Sequence, residues 1–426
     1  MACLWMQIYK NPVRGQSSIF LYFRGVTAIN ISDYDYPLPA DRIARYPLKQ
    51  RDQSKLLIYS GGNLSHTVFK NITDYIPADQ LIVLNNTKVI QARLKFKKSS
   101  GAYIEVFCLE PVEPPDYESA FTKTGTCTWK CLIGNSAKWK SGALIQQIGD
   151  DSQALLTAER TGRDNDTFLV HFSWTPALHT FSYILEAIGE TPIPPYLERH
   201  PVQSDKESYQ TVYSKIDGSV AAPTAGFHFT ESILKSLTAR GTRIMETTLH
   251  IGAGTFRPVL ADNMAAHIMH KEHFYFTLEF LETMLEYRNR ITAVGTTSVR
   301  TLESIYWLGV KVLQGLTDVS HTLILDQQDA YRLPGYYSFE MSIYELSKRL
   351  RKAGIFRAEG LTQLMILPGY RFRTVDKIIT NFHQPRSTLL LLIASFVGDD
   401  WKRIYRYALD NDFRFLSYGD SSVLGR

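Results

Sequence analysis

Three histidines, His228, His250 and His383, stand where small and hydroxyl-bearing residues cluster. They lie in APTAGFHFTE (222–231), LHIGAGTFRP (249–258) and TNFHQPRSTLLLL (380–392). An imidazole titrates at about 6.5 and can exchange protons at neutral pH. A single such residue is more often structural; three in three similar segments favour at least one acid/base group. A fourth segment, VGTTSVRTLES (294–304), places Thr296, Thr297 and Ser298 between a strand and a helix start. Free backbone N–H groups there suit an anion or carboxylate, and Arg300 on the first turn would add a bidentate clamp. The plainer reading makes Thr297 a helix N-cap.

Other patterns are weaker. Gly252 and Gly254 follow a strand, but the third glycine of a dinucleotide loop would fall at Arg257 and no helix pattern follows. The pair then serves a tight turn or a close backbone approach to a ligand. AAHIMHKEHF spaces His267, His270 and His273 by three, which on a helix swings the outer two off a common face. A solvated or partner-facing segment is expected there, not a zinc site. Phe227 and Phe229 flank His228 as core packing or as a stacking surface for a base. Arg45, Arg51 and Lys55, then Lys88, Arg93, Lys95, Lys97 and Lys98, make two basic patches, the second on a strand-like face that could track phosphates. Neither H-E-x-x-H nor G-x-S-x-G occurs.

The elements that must position these groups follow from pattern. At 426 residues the chain has room for two or three domains of roughly 100–200 residues. Its 44% hydrophobic and 21% charged content is that of a globular protein, and the net charge of +5 permits a polyanionic partner without demanding one. Four cysteines exclude a disulfide scaffold and point to a reducing, cytoplasmic setting, and Cys127 with Cys131 lacks a second pair for zinc. The longest apolar run, Leu389 to Val397, is too short to span a bilayer. Residues 1–28 read as an N-terminal extension, disordered or an artefact of the start site.

Asp41 to Tyr46 is expected as a short helix and Gln80 to Asn85 as a buried strand. Residues 91–175 hold five or six short strands of period two and no helix, with 111–126 a loop, which predicts a small antiparallel β-barrel or sandwich. After Pro176, strands alternate with helices: helices at 178–189, after Thr230, at 276–289, from Ser298 to Gly309 and at 387–396, with strands at RIMETTLHI, ITAVGT and 377–381. The fold class expected is an α/β main domain, 29–90 and 176–426, with an inserted antiparallel β-barrel domain, 91–175. Residues 310–366 form an extra insertion with a helix at 342–352, packed on the main domain or capping it. Open α/β sheets bind ligands at the carboxyl ends of their strands, where the four segments fall.

These segments, with RYPLKQRDQSKLLIY (45–59), LNNTKVIQARL (84–94), GETPIPPYL (189–197), SYQTVY (208–213), LPGYRF (367–372) and RFLSYGD (414–420), resemble one family, in family order from about Asp33 to Asp420. It is the S-adenosylmethionine:tRNA ribosyltransferase-isomerase family of queuosine biosynthesis. The resemblance implies an α/β domain with an inserted barrel. It implies a transferase that moves the ribosyl part of S-adenosylmethionine onto 7-aminomethyl-7-deazaguanine at the wobble position of tRNAs with GUN anticodons. The ribosyl is isomerised to an epoxycyclopentane, giving epoxyqueuosine, and adenine and methionine leave. S-adenosylmethionine is then a consumed substrate, with no cofactor and no metal.

Carried onto the matching positions, the resemblance makes His228 or His250 the acid/base group, with His383 assisting. Substrate would be bound by Thr224, Gly226, Phe227, Phe229, Gly252, Gly254, Thr255, Thr296, Thr297, Arg300 and Asn381, with Thr296, Thr297 and Arg300 on the methionine carboxylate. Arg51, Lys88, Arg93 and Lys95 would contact tRNA. The chain departs from the usual L-N-D-T-R-V-I-P-A-R at Asn86, Lys88 and Gln91. Two other outcomes therefore stand beside the enzyme: a non-catalytic paralogue that binds tRNA or S-adenosylmethionine, and a transferase with a different amine acceptor.

Overall fold

Gly61 and Gly62, both at positive φ, turn the chain between β1 (Lys55–Ser60) and β2 (Asn63–Val68). β3 (Leu81–Asn85) is buried throughout, as its unbroken apolar run requires, and β4 (Thr87–Val89) follows it. In this computed structural model residues 29–426 are described, except 99, 150, 165, 253, 255–258 and 260; the extension 1–28 and Thr255 lie outside the described residues. The region expected as a helix at 41–46 holds only a 3-10 turn, Ala40–Arg42.

The period-two segments form β5 (Arg93–Lys97), β6 (Tyr103–Glu113), β7 (Thr126–Gly134), β8 (Leu144–Ile148), β9 (Asp151–Asp164) and β10 (Thr167–Thr175). They pair antiparallel in the order β5-β6-β7-β10-β9-β8. Edge strands β5 and β8 approach each other without ladder hydrogen bonds, so this barrel-like sheet is nearly closed. Phe96, Val106, Trp129, Leu156 and Phe172 fill a core of its own. The expected loop 111–126 is only partly a loop: β6 runs to Glu113, and α1 (Tyr117–Thr122) is capped by Asp116, which accepts from the N–H groups of Glu118 and Ser119. A helix of 6 residues is too short for periodicity to reveal.

The chain then runs through α2 (Phe181–Ile188), α3 (Asp205–Ser208), β11 (Ile216–Ser219), α4 (Glu231–Ala239), β12 (Arg243–Leu249), β13 (Glu272–Thr277), α5 (Leu278–Glu286), β14 (Ile291–Val294) and α6 (Gly295–Leu313). After these come β15 (Leu323–Leu325), α7 (Asp329–Arg332), α8 (Phe339–Lys352), β16 (Arg357–Thr362), β17 (Lys377–Asn381), α9 (Thr388–Val397), α10 (Trp401–Asp410) and β18 (Ser421–Gly425). Ten strands make the large sheet, in the order β15-β16-β13-β12-β3-β14-β17-β18-β1-β2. Its centre, β12, β3, β14 and β17, is parallel, so the carboxyl ends of these strands share one edge. Among the described residues no helix is long and apolar enough to cross a membrane.

Two helix boundaries differ from expectation. EHFYFT pairs as β13, with Phe274 and Phe276 buried on one face, and α5 starts only after Thr277, whose hydroxyl accepts from the Phe280 N–H. α6 begins at Gly295, before Ser298, and continues past Gly309 to Leu313. Gly309 marks not a helix stop but a close crossing with α8. A Cβ there would lie 2.2 Å from Ser342 Oγ and 2.4 Å from Ser342 O. Residues 310–366 extend the main sheet, with β16 paired to β13, β15 paired to β16 and α8 packed on α6.

Gly309→Ala is accordingly expected to force α6 and α8 apart and lower stability by about 1–3 kcal/mol. Thermal unfolding measures this; an unchanged midpoint would show that the crossing yields freely.

Candidate active site

A cavity of about 280 Å³ opens where the parallel strands end. That volume is near the lower end for small-molecule sites, roughly 300–1,000 Å³. Thr224, Gly254, Thr296, Thr297, Arg300, Asn381 and His383 line it, together with Ile251, Met269, Leu364, Met365 and Leu392. β14 delivers the first polar group: Gly295 sits at φ 86°, a left-handed turn that suits glycine, and turns the chain into α6. No side chain caps α6, and Thr297 lies inside its first turn with Oγ1 buried and unpartnered, so the N-cap reading of Thr297 fails. The free N–H groups of this turn and Thr297 Oγ1 are donors without protein acceptors.

Arg300 is not a free clamp. Its Nη1 bonds Glu272 Oε2 and its Nε donates to Leu364 O at 3.0 Å. Nη2 is left, buried and without a partner among the described residues. The other Glu272 oxygen meets His270 Nε2 at 3.0 Å. Burial would raise the Glu272 carboxyl, but Arg300 and His270 outweigh it and hold it at about 2. Segment 267–273 is divided: Ile268 and Lys271 are exposed, as a solvated segment would be, while Met269 and Glu272 are buried. His267 and His270 line the cavity, and His273 lies on β13 bonded to Glu359 at 2.8 Å. The usable signal was extended-chain alternation, which sets His270 and Glu272 on one face. The glycines of 252–254 take their meaning here. A Cβ on Gly254 would stand 2.3 Å from His270 Nδ1, and one on Gly252 would stand 3.4 Å from its Cδ2. They make room for an imidazole.

The predicted histidines separate. His383 lines the cavity, with Nε2 3.0 Å from Thr380 Oγ1; burial pushes it down to about 4. His228 does not line it. Its Nδ1 meets Ser54 Oγ at 2.7 Å and its Nε2 faces Asn381 Nδ2 at 3.3 Å, so Asn381 links it to the cavity. Burial, then Arg414 and Arg51, push His228 down to about 3. His250 lies beneath Tyr117 of α1, ring centroids 4.6 Å apart, and touches Thr87 Oγ1 at 3.1 Å. Burial, then His273 and Arg357, push it down to about 3. Both are buried, His228 in the turn that follows the 3-10 helix Thr224–Gly226 and His250 just past the end of β12, and burial favours their neutral form. Gly226 lies under the Tyr213 hydroxyl and Phe229 in an apolar core, both away from the cavity.

The second basic patch is partly paired: on the barrel Arg93 meets Glu105 at 2.9 Å and Lys95 meets Glu190 at 2.7 Å, and on β4 Lys88 meets Asp217 at 3.4 Å, whereas Lys97 lies over the Tyr103 ring and Lys98 donates to Lys138 O. A smaller cleft of about 140 Å³ differs. Lys49, Arg51, Arg414, Phe227 and His228 line it, and Ser417 is shared with the main cavity. Among the described residues no carboxylate pairs with Lys49 or Arg51; Arg51 Nη1 donates to Gln210 O at 3.2 Å. Asn86 donates to Glu246 Oε2 at 3.1 Å and accepts from Thr248 Oγ1 at 2.7 Å. An aspartate there would oppose Glu246, which accounts for the amide. Among the described residues no three His, Cys, Asp or Glu side chains are grouped to hold a metal ion.

Because the Glu272 carboxyl sits below its ordinary 4.5, it adds stability above that pH and loses it as pH falls toward about 2. Acid unfolding should therefore steepen for the wild type below about pH 4.5 and flatten in Glu272→Gln. Superimposable acid limbs would contradict the ion pair.

The chain matches the profile of the family described as queuosine biosynthesis protein over residues 31–424. It is 35% identical over 405 residues to S-adenosylmethionine:tRNA ribosyltransferase-isomerase of Sulfurihydrogenibium sp., covering 93% of this chain and 100% of that protein. It is 36% identical over 403 residues to the protein of that name from Thermotoga petrophila, again covering 93% and 100%. A crystal structure of S-adenosylmethionine tRNA ribosyltransferase from Thermotoga maritima, 28% identical, covers 92% of this chain and 100% of that one with a TM-score of 0.43. With the match running almost end to end, this chain belongs to the queuosine biosynthesis protein family.

Proposed function

We propose that this protein is an S-adenosylmethionine:tRNA ribosyltransferase-isomerase. S-adenosylmethionine is a consumed substrate, with no cofactor or metal. The acceptor is 7-aminomethyl-7-deazaguanine at the wobble position of tRNAs with GUN anticodons, and the product is epoxyqueuosine. The cytoplasm is the proposed site of action, in keeping with the buried thiols of Cys108, Cys127 and Cys131. Residues 29–90 and 176–426 act as one α/β unit, with 91–175 as an inserted barrel.

The observation that carries this reading is the set of unpartnered donors in the cavity of a chain matched to the family from end to end. The α6 N-terminus, Thr297 Oγ1 and Arg300 Nη2 would receive the methionine carboxylate, with Thr296 beside them. The apolar wall of Met269, Leu364 and Leu392 would cover the nucleoside. Thr224, Asn381 and His383 also line the cavity. The cleft of Lys49 and Arg51, joined to the cavity at Ser417, would take tRNA phosphates. The departures at 86, 88 and 91 do not line the cavity, which favours the enzyme over a non-catalytic paralogue.

Adenine should leave S-adenosylmethionine only when tRNA bearing the aminomethyl deazaguanine is present. Release with another amine, or none at all, would replace this reading. Thr297→Val is expected to weaken S-adenosylmethionine binding about tenfold or more, the loss of one bond to a charged group, in calorimetric titration. Equal affinity would remove the carboxylate from α6. Lys49→Gln combined with Arg51→Gln should raise the KM for tRNA and reduce the slope of log affinity against log salt by about 1–2, leaving kcat in place. An unaltered slope would move the tRNA path elsewhere.

A further inference from the structure

We propose that His270 is the general base of the cavity, taking the proton from the ribosyl carbon next to the sulfonium, and that Glu272 and Gly254 position it. The inference rests on the functional reading above and names the one group that reading leaves open.

Four observations converge on His270. The imidazole lines the cavity with 29% of its side chain exposed, so it is reachable yet held. The backbone leading into it is pinned: Gln327 Nε2 donates to His267 O at 2.7 Å, Gln327 Oε1 accepts from Met269 N at 2.9 Å, and Gln363 Nε2 donates to Met269 O at 2.7 Å. Glu272, kept ionised by Arg300, can only accept, so the 3.0 Å contact fixes the ring proton on Nε2. Nδ1 then carries the lone pair, with no hydrogen-bond partner among the described residues, and Gly254 beside it leaves the room that a Cβ, 2.3 Å away, would take.

The other histidines serve less well. His383 has Thr380 and no carboxylate behind it, and His228 and His250 are outside the cavity. His267 lines the wall, but no carboxylate is bonded to it. A carboxylate behind an imidazole sets its tautomer and stabilises the imidazolium once a proton arrives. In the step proposed, the C–H bond beside sulfur breaks and an N–H bond forms at Nδ1. The electron pair stays on carbon as a sulfonium ylide. The new imidazolium is balanced by Glu272, whose second oxygen stays on Arg300.

The test uses the full chain with S-adenosylmethionine and the deazaguanine-bearing tRNA. His270→Ala should slow single-turnover adenine release by about 10²–10⁴-fold, the usual share of general acid–base catalysis. S-adenosylmethionine affinity should change by less than about threefold, and free imidazole should restore part of the rate. Gly254→Ala should slow release comparably without imidazole rescue, because its methyl group fills the space beside Nδ1. In the protein alone, ¹⁵N-labelled His270 should show the Nε2–H tautomer and lose that preference in Glu272→Gln.

Release within about threefold of wild type in His270→Ala, or an Nδ1–H tautomer in the wild type, overturns the assignment while the functional reading stands. A wild-type protein that frees no adenine with that tRNA overturns the functional reading and the base together.

Discussion

The Glu272–Arg300 ion pair is the contact around which the cavity is built. A carboxylate this deep costs several kcal/mol unless a cation and hydrogen bonds meet it. Arg300 comes from α6, which follows the central strand β14, and Glu272 opens β13, with β12 and β3 lying between the two strands. The pair therefore crosses the carboxyl edge of the sheet and closes one wall. Segment 357–366 completes the arrangement. Glu272 pairs in register with Thr362, Thr362 Oγ1 meets Ser304 Oγ at 2.7 Å, and Leu364 O takes the Arg300 Nε proton. A stretch that reads as an added insertion thus belongs to the wall of the site.

The same logic separates residues that look chemical from those that can act. Glu303, one turn beyond Arg300, accepts from the Tyr370 hydroxyl, the N–H groups of Arg373 and Thr374, and Thr374 Oγ1. LPGYRF is thereby explained as a mooring for α6. His250 is packed against Tyr117 and sits where a Cβ on Gly218 would lie 2.4 Å from its ring, so it joins the barrel-side helix to the main sheet. In each case every polar atom of note is spent on the protein. At the α6 turn and on Arg300 Nη2 it is not.

Charge is distributed by the same rule. On the barrel the cross-strand ladder brings Arg93 opposite Phe107, two pairs along from Glu105 and on the same face, and the cation is answered locally. Such exposed pairs contribute little stability each, but they cancel the field a row of cations would project. At the second cleft Asp420 answers Arg414 at 3.5 Å, while among the described residues no carboxylate pairs with Lys49 or Arg51, whose charge is left for an outside anion.

Much of the architecture was legible in the sequence. Period-two runs named all the barrel strands, apolar blocks named β3 and β17, and Thr230 and Ser387 marked the starts of α4 and α9. Motif positions at strand ends located the cavity, since parallel strands must share a carboxyl edge. Short-range pattern could not reveal the six-residue α1, nor that EHFYFT is a strand before it is a helix. The selection among histidines was beyond it altogether. Residue type and spacing show that an imidazole is present; whether it faces a carboxylate, a ring or an open wall is decided by strands far apart in the chain. His270 meets Glu272 because extended backbone puts them on one face. Both matter only because α6 brings Arg300 to the far side, and that meeting is a property of the folded sheet.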